Sequence, residues 1–314
     1  MKFRLGYVDG PLSINAKMHT ITYSSYKKLK EKEGSEKLSK IIDQNLNTLL
    51  EILKFNKDND ICFYRMSHTI IPLATIKEIN LDYIKPYIKK WKEIGTYIKK
   101  SNMRVDIHPN QYCILNSNNK EITKNSIEIL KFNYSLFKAM NIESKIILHV
   151  GGKYENKEKS IARFKHNFSK LDQCLKEIII LENDDKIYNI TDVLQICEEL
   201  NIPMVLDYHH YLCNNNKEKL QDYIPRIINT WKYTKLPPKI HFSSPKSKKD
   251  FRSHSIFIDY KSFVKMLNIF KKYTSSLDIM LECKGKDEAL FLLSKKLKYT
   301  ENIKFINNST FEII

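Results

Sequence analysis

The chain is poor in glycine, with seven residues among 314, and no GxGxxG or GxxxxGK[ST] follows an apolar run. A dinucleotide-binding or P-loop domain needs such a loop to bring backbone amides against phosphates, so both are excluded. Cysteine is also sparse. Cys62, Cys113, Cys174, Cys197, Cys213 and Cys283 are scattered without a CxxC pair, which fits reduced thiols rather than a disulfide framework or a zinc ribbon. No run of about 18 apolar residues could span a bilayer, and the first ten residues, MKFRLGYVDG, lack the apolar stretch of a signal peptide. A soluble cytoplasmic protein without a membrane partner is expected. Negative charge is short too: 36 Asp plus Glu face 53 Lys plus Arg, for a formal charge of +17. Such a surface attracts polyanions. AT-rich codon supply also raises lysine, so charge alone does not name the partner.

Against these absences stand eight short apolar runs ended by polar residues: 3–7, 61–66, 104–107, 146–150, 178–181, 204–207, 239–242 and 278–282. Between them lie segments with apolar residues at helical spacing, including 39–56, 126–141, 191–201 and 260–273. Thr191 followed by Asp192 reads as a helix start, and Ser126 as the cap of another. Strand and helix alternate without a break in composition. The expected fold is a parallel (β/α)₈ TIM barrel occupying residues 1–314 as one domain.

The strand ends are the informative places. Tyr7, His68, His108, His149, Glu182, Asp207 with His209 and His210, His241 and Glu282 close the candidate strands in turn. In a parallel barrel these ends converge on one mouth, where active sites of this architecture lie. Independent helix caps would favour Ser, Thr and Asn over imidazole, although Asp184 and Asp185 read well as caps. His19 and His166 stand alone and read as ordinary surface histidines. Alternation along a strand further predicts that Lys239 and His241 point inward together, as do Glu282 and Lys284. An inward lysine needs an anionic partner or a chemical change. Imidazole and carboxylate without thiolate suit Mn²⁺, Zn²⁺ or Fe²⁺. Seven or eight donors exceed the needs of one ion, so two or three are expected, an arrangement suited to phosphoester cleavage.

With these residues in hand, the chain resembles the UV damage endonucleases, the UVDE/UvsE family. The resemblance rests on FRLGYV, YRMSHTIIPLAT, HPNQY, HVGGKYENKEKSIARFKHN, LENDDKIYNITDVLQICEELNIPMVLDYHH, PKIHFSSPKSKKDFRSH and LECKGKDEAL, and runs almost end to end. It implies a metal-dependent, ATP-independent barrel enzyme, a Mn²⁺-type cluster, and nicking of double-stranded DNA immediately 5′ to cyclobutane pyrimidine dimers and (6-4) photoproducts. Carried over by motif, the ligands would be His68, His108, His149, Glu182, Asp207, His210, His241 and Glu282. Lys239, His241, His254 and Glu182 would act in catalysis, with Lys239 at a position that can be carboxylated. Gln111 and Tyr112 would probe the gap opposite a lesion, and Tyr7 would lie beside the damaged strand. Such an enzyme works as a monomer and meets the nucleoid through its DNA substrate. The rival readings are an abasic-site endonuclease on a related barrel, a sugar isomerase, and a DNA-binding barrel with a degenerate site.

Overall fold

The computed structural model describes residues 1–79 and 81–314. Eight parallel strands, β1 (Lys2–Val8), β2 (Phe63–Met66), β3 (Arg104–Ile107), β4 (Ile146–His149), β5 (Ile179–Glu182), β6 (Met204–Asp207), β7 (Lys239–Phe242) and β8 (Ser276–Leu281), follow one another around a barrel. Pairing of β1 with both β8 and β2 closes it. These strands fall where the apolar runs place them, so the fold is the expected single-domain TIM barrel.

The helices packed outside are α1 (Tyr23–Lys27), α2 (Glu31–Asp58), α3 (Ile88–Lys100), α4 (Lys120–Met140), α5 (Lys157–Ser169), α6 (Gln173–Ile178), α7 (Ile190–Leu200), α8 (Tyr208–Cys213), α9 (Leu220–Asn229), α10 (Tyr260–Phe270) and α11 (Lys286–Leu297). Helix α2 starts eight residues before the periodic segment at 39–56, because its first turns carry Glu31 and Glu33 at the positive helix end and bury little beyond Gly34. Ser126 is not a cap. It lies inside α4, where its hydroxyl donates to the Ile122 carbonyl and accepts from the Ile114 amide; Asn119 caps that helix. Helix α7 begins at a capping box in which Asn189 and Asp192 exchange side-chain and backbone bonds, one residue ahead of the expected start.

A hairpin of β9 (Ile303–Phe305) and β10 (Thr310–Ile313) adds to the barrel. Strand β10 runs antiparallel to the first half of β1, whereas β2 pairs with its end at Tyr7 and Val8. The hairpin therefore fills the gap where β1 and β2 separate. It is short and weakly apolar, which is why periodicity misses it.

Every second strand residue faces the barrel interior. On the side of β4, β5 and β6 this interior is apolar: Ile147, Ile180 and Val205 pack with Trp231, whose indole donates to the Met204 carbonyl at the start of β6, apart from the larger core between strands and helices. Towards the bottom it holds charge. Arg4 donates to Asp278 at 2.6 and 2.7 Å, Arg104 to Asp278 at 2.8 Å and to Asp106 at 3.0 Å, and Lys239 to Asp106 at 3.0 Å. Lys239 is completely buried. Burial lowers its pKa to about 8 against the pull of Asp106. Burial alone would raise Asp106, but Arg104, Lys239 and the Lys145 amide bring it down to about 2.

This network has two measurable consequences for stability. Asp278→Asn leaves Arg4 and Arg104 buried without their shared anion, a loss of about 3–5 kcal/mol, read as a lower urea midpoint at unchanged slope. Because the folded pKa of Asp106 lies below its unfolded value, its contribution is present above about pH 4 and is lost as pH falls towards 2. Asp106→Asn should remove that contribution from the acid limb of a stability-against-pH curve, flattening it between about pH 4 and pH 2.

Candidate metal centre

The top interior layer collects the donors. Strand register sets His149 beside Glu182 and Asp207 beside His241. Two groups form, His108 with His149 and Glu182, and Glu182 with Asp207, His241 and Glu282, each with ligand atoms within 4.8 Å of one another. Glu182 belongs to both. Its carboxylate is buried 3.3 Å from His108 Nε2, 3.9 Å from His149 Nε2, 3.5 Å from His210 Nδ1 and 3.0 Å from His241 Nδ1. His241 Nδ1 also lies 2.8 Å from Glu282.

His210 joins through the turn after β6. Asp207 caps α8 by accepting the His210 amide at 2.7 Å, which folds the imidazole back over the mouth, and His210 Nδ1 donates to the Asn183 carbonyl at 2.9 Å. The adjacent His209 turns away, with Nε2 3.2 Å from the Arg252 carbonyl. After His149, Gly151 takes a φ of +116°, a conformation that side chains resist, and a Cβ there would collide with Asn116 Oδ1.

Burial alone would raise Glu182, but His241, His149 and His108 hold it well below the carboxylate range. Burial likewise opposes ionisation of Glu282, and Arg65 and His241 outweigh it. Desolvation drives His108 down to about 4 and Asp207 up to about 6. His210 would also fall on burial, yet Asp207 and Glu182 lift it to about 9.

The donors fit divalent metal ions. Glu182 Oε2, Asp207 Oδ2 and both ring nitrogens of His241 are buried without a well-directed hydrogen bond among the described residues. Native interiors rarely leave such atoms unpaired, and a set of imidazoles and carboxylates aimed at one space is what such ions accept. Two of the imidazoles are anchored through Nδ1, His108 on the Pro109 carbonyl at 3.0 Å and His210 on the Asn183 carbonyl, which leaves Nε2 of each for an ion.

His68 does not join either group. It lies two residues beyond the end of β2, where strand alternation has lapsed, and its side chain is exposed at the rim of a cleft shared with His108 and His149. Tyr7 does not reach the mouth. It occupies the outward face of β1, is fully buried, and donates to Asn56 on α2 at 2.7 Å, so it presents no surface to a DNA strand. Lys284 is exposed in the turn after β8 rather than inward. Asp184 caps a turn rather than a helix, accepting from the amides of Lys186, Ile187 and Tyr188. His254 stands beside the cluster with Nδ1 on the Glu282 carbonyl and its ring 6.4 Å from that of His210. Gln111 and Tyr112 are exposed on the loop after β3, Tyr112 at 72%. Arg65, Arg4, Arg104, Asp106 and Asp278 lie outside the strand-end reading. Charged residues alternating with apolar ones inside strands are the signal that finds them.

Fold and donors define a parallel β/α barrel with a candidate metal centre at its C-terminal mouth. Residues 3–313 match the family model of UV-endonuclease UvdE. A UV DNA damage endonuclease of Bacillus cereus (strain B4264) is 41% identical over 313 residues, 98% of this chain and 99% of the relative. Another, from Bacillus thuringiensis subsp. konkukian (strain 97-27), is 40% identical over 316 residues, 99% of this chain and 100% of its own. The crystal structure of SacUVDE aligns with a TM-score of 0.85 at 34% identity, over 94% of this chain and 98% of that one. Endonuclease IV from Thermus thermophilus aligns with a TM-score of 0.58 at 12% identity over 95% of this chain and 100% of its own, a likeness of fold alone. The chain belongs to the UvdE family of UV endonucleases, and is a nuclease of the DNA damage type. No helix among the described residues is long and apolar enough to cross a membrane.

Because Glu182 is common to both donor groups, Glu182→Gln should disable them together. Mn²⁺ at a hundred times its Kd should stabilise the native protein by about 2.7 kcal/mol, and Glu182→Gln should abolish that gain in thermal melts. Stabilisation that persists in the variant would remove Glu182 from metal binding.

Proposed function

We propose that the protein nicks double-stranded DNA immediately 5′ to cyclobutane pyrimidine dimers and (6-4) photoproducts, with two or three divalent ions, most simply Mn²⁺, at the barrel mouth. The observation that carries this reading is the pairing, on one face, of the Glu182-centred donor groups with the exposed Gln111–Tyr112 loop. His108, His149, Glu182, Asp207, His210, His241 and Glu282 would hold the ions. Bound there, they would supply the Lewis acidity that phosphodiester hydrolysis needs.

The chain's own groups handle protons and position. His254 Nδ1 faces a carbonyl, so that nitrogen carries the hydrogen and Nε2 is left to accept or return a proton. Lys239 has a lowered pKa, which favours the neutral amine that carboxylation requires. Its bond to Asp106 acts the other way, because a carbamate would set two anions together unless Arg104 and the ions offset them. Asn110 accepts the Tyr112 amide at 3.0 Å and stiffens the loop that carries the probe residues. A photodimer weakens stacking, so its extrusion costs less than that of normal bases, and Gln111 and Tyr112 would fill the space it leaves. The +17 charge supports sequence-independent binding to phosphates. The enzyme would act as a monomer in the cytoplasm, at the nucleoid, where its substrate lies.

The test is nicking of irradiated, abasic and undamaged duplexes in parallel. Irradiated DNA should be cut preferentially; equal or better cutting of the abasic duplex would overturn the proposed specificity. Replacing Gln111 and Tyr112 with Ala removes stacking of about 1–3 kcal/mol per base, so the preference for irradiated DNA should shrink while Mn²⁺ stabilisation is unchanged. Full preference with loss of Mn²⁺ stabilisation would place the loop in metal binding instead.

A further inference from the structure

Arg65 has a place that neither metal binding nor damage probing explains. It is two residues after Phe63 on the inner face of β2, level with the donor groups, and its side chain is only 12% exposed. Its Nη1 donates to Glu282 Oε1 at 2.5 Å, and it makes no other side-chain hydrogen bond among the described residues. None of its remaining guanidinium nitrogens is sealed from solvent without a partner. They open on a cleft of about 250 Å³ lined by Asp9, His68, His108, Gln111 and His149 as well as Arg65. His108 and His149 of the first donor group and Gln111 of the probe loop thus line one cleft with Arg65.

A guanidinium stays protonated at any pH the protein meets. Glu282 and, without a side-chain hydrogen bond, Glu182 and Asp9 offset this fixed cation, yet only Glu282 engages one of its donors, so the nitrogens facing the cleft are left to take a further anion. Asp9 does not supply it: it is exposed on the outer lip of the cleft and meets Arg65 only through the backbone, its amide donating to the Arg65 carbonyl at 3.1 Å. The planar fork of donors matches a phosphate, and fixed donors gain most where negative charge grows on non-bridging oxygens during hydrolysis.

We propose that Arg65 binds the phosphodiester that is cut, one arm of the guanidinium fixing Glu282 and the other donating to a non-bridging oxygen. Arg65 forms no covalent bond and gives up no proton in the reaction. The assignment deepens the DNA reading above and rests on it.

The test uses Arg65→Met and Arg65→Lys with a duplex containing one photodimer, its 5′ phosphate either ordinary or replaced by a neutral methylphosphonate. Binding is measured in chelator, where no cutting occurs, and Mn²⁺ stabilisation is measured separately. Wild-type protein should bind the methylphosphonate duplex about tenfold more weakly than the ordinary one, as loss of a charged hydrogen bond implies. Arg65→Met should bind the two alike, the non-additivity expected of groups in contact. Arg65→Lys should retain part of the difference through its charge. Nicking by Arg65→Met should fall about a hundredfold or more, with Mn²⁺ stabilisation intact. The assignment is overturned if Arg65→Met keeps the tenfold difference, or if it loses Mn²⁺ stabilisation, which would make Arg65 a prop for Glu282 alone. A wild-type protein that does not prefer irradiated DNA would sink the DNA-repair reading itself, a result separate from either of these.

Discussion

Closure of eight parallel strands turns every second strand residue into one narrow interior, and the rest of the structure follows from how that space is filled. At the bottom, Arg4, Arg104 and Lys239 share Asp106 and Asp278, with Trp231 beside them in an apolar plug against β4, β5 and β6; at the top stand the imidazoles and carboxylates. Charges buried this deeply are tolerated only in pairs, so the lower network and the strands that carry it constrain one another. His241 and Lys239 sit on the same face of β7, and Asp106 and His108 share a face at the end of β3. The network therefore anchors strands that also present candidate ligands.

The same geometry gives the mouth its chemistry. Glu182 is approached by four imidazoles, of which His149 stands beside it through strand register and His210 returns from the first turn of α8. An anion so placed is held ionised despite burial, and His108 and His210 each keep Nδ1 on a backbone carbonyl. That preorganisation separates a ligand cluster from a chance gathering of polar residues. Arg65, the one guanidinium at this level among the described residues, faces the open cleft and gives the site a group for an anionic substrate.

Much of this is legible in the chain, and the reasons for success and failure are the same. Strands can be placed because buried parallel strands read as apolar runs, and His108, His149, Glu182, Asp207, His241 and Glu282 can be placed because they end those runs. Tyr7 is misread for want of parity: Arg4 and Gly6 are the inward residues of β1, so Tyr7 must face α2. His68 and Lys284 lie past the last paired residue of their strands, where alternation no longer sets direction. The hairpin of β9 and β10 leaves no apolar signature, and the buried ion network stays hidden when strand interiors are read for their apolar residues only. The nuclease function comes from the resemblance and the family match, since residue types alone also fit a sugar isomerase.

The central claim is that the mouth holds divalent ions on donors organised by Glu182. Anomalous X-ray diffraction at the manganese edge, on crystals grown with Mn²⁺, tests it most directly. The account predicts at least two peaks, one among His108, His149 and Glu182 and one among Glu182, Asp207, His241 and Glu282. A mouth without peaks at Mn²⁺ concentrations that stabilise the protein, or peaks only away from Glu182, would contradict it.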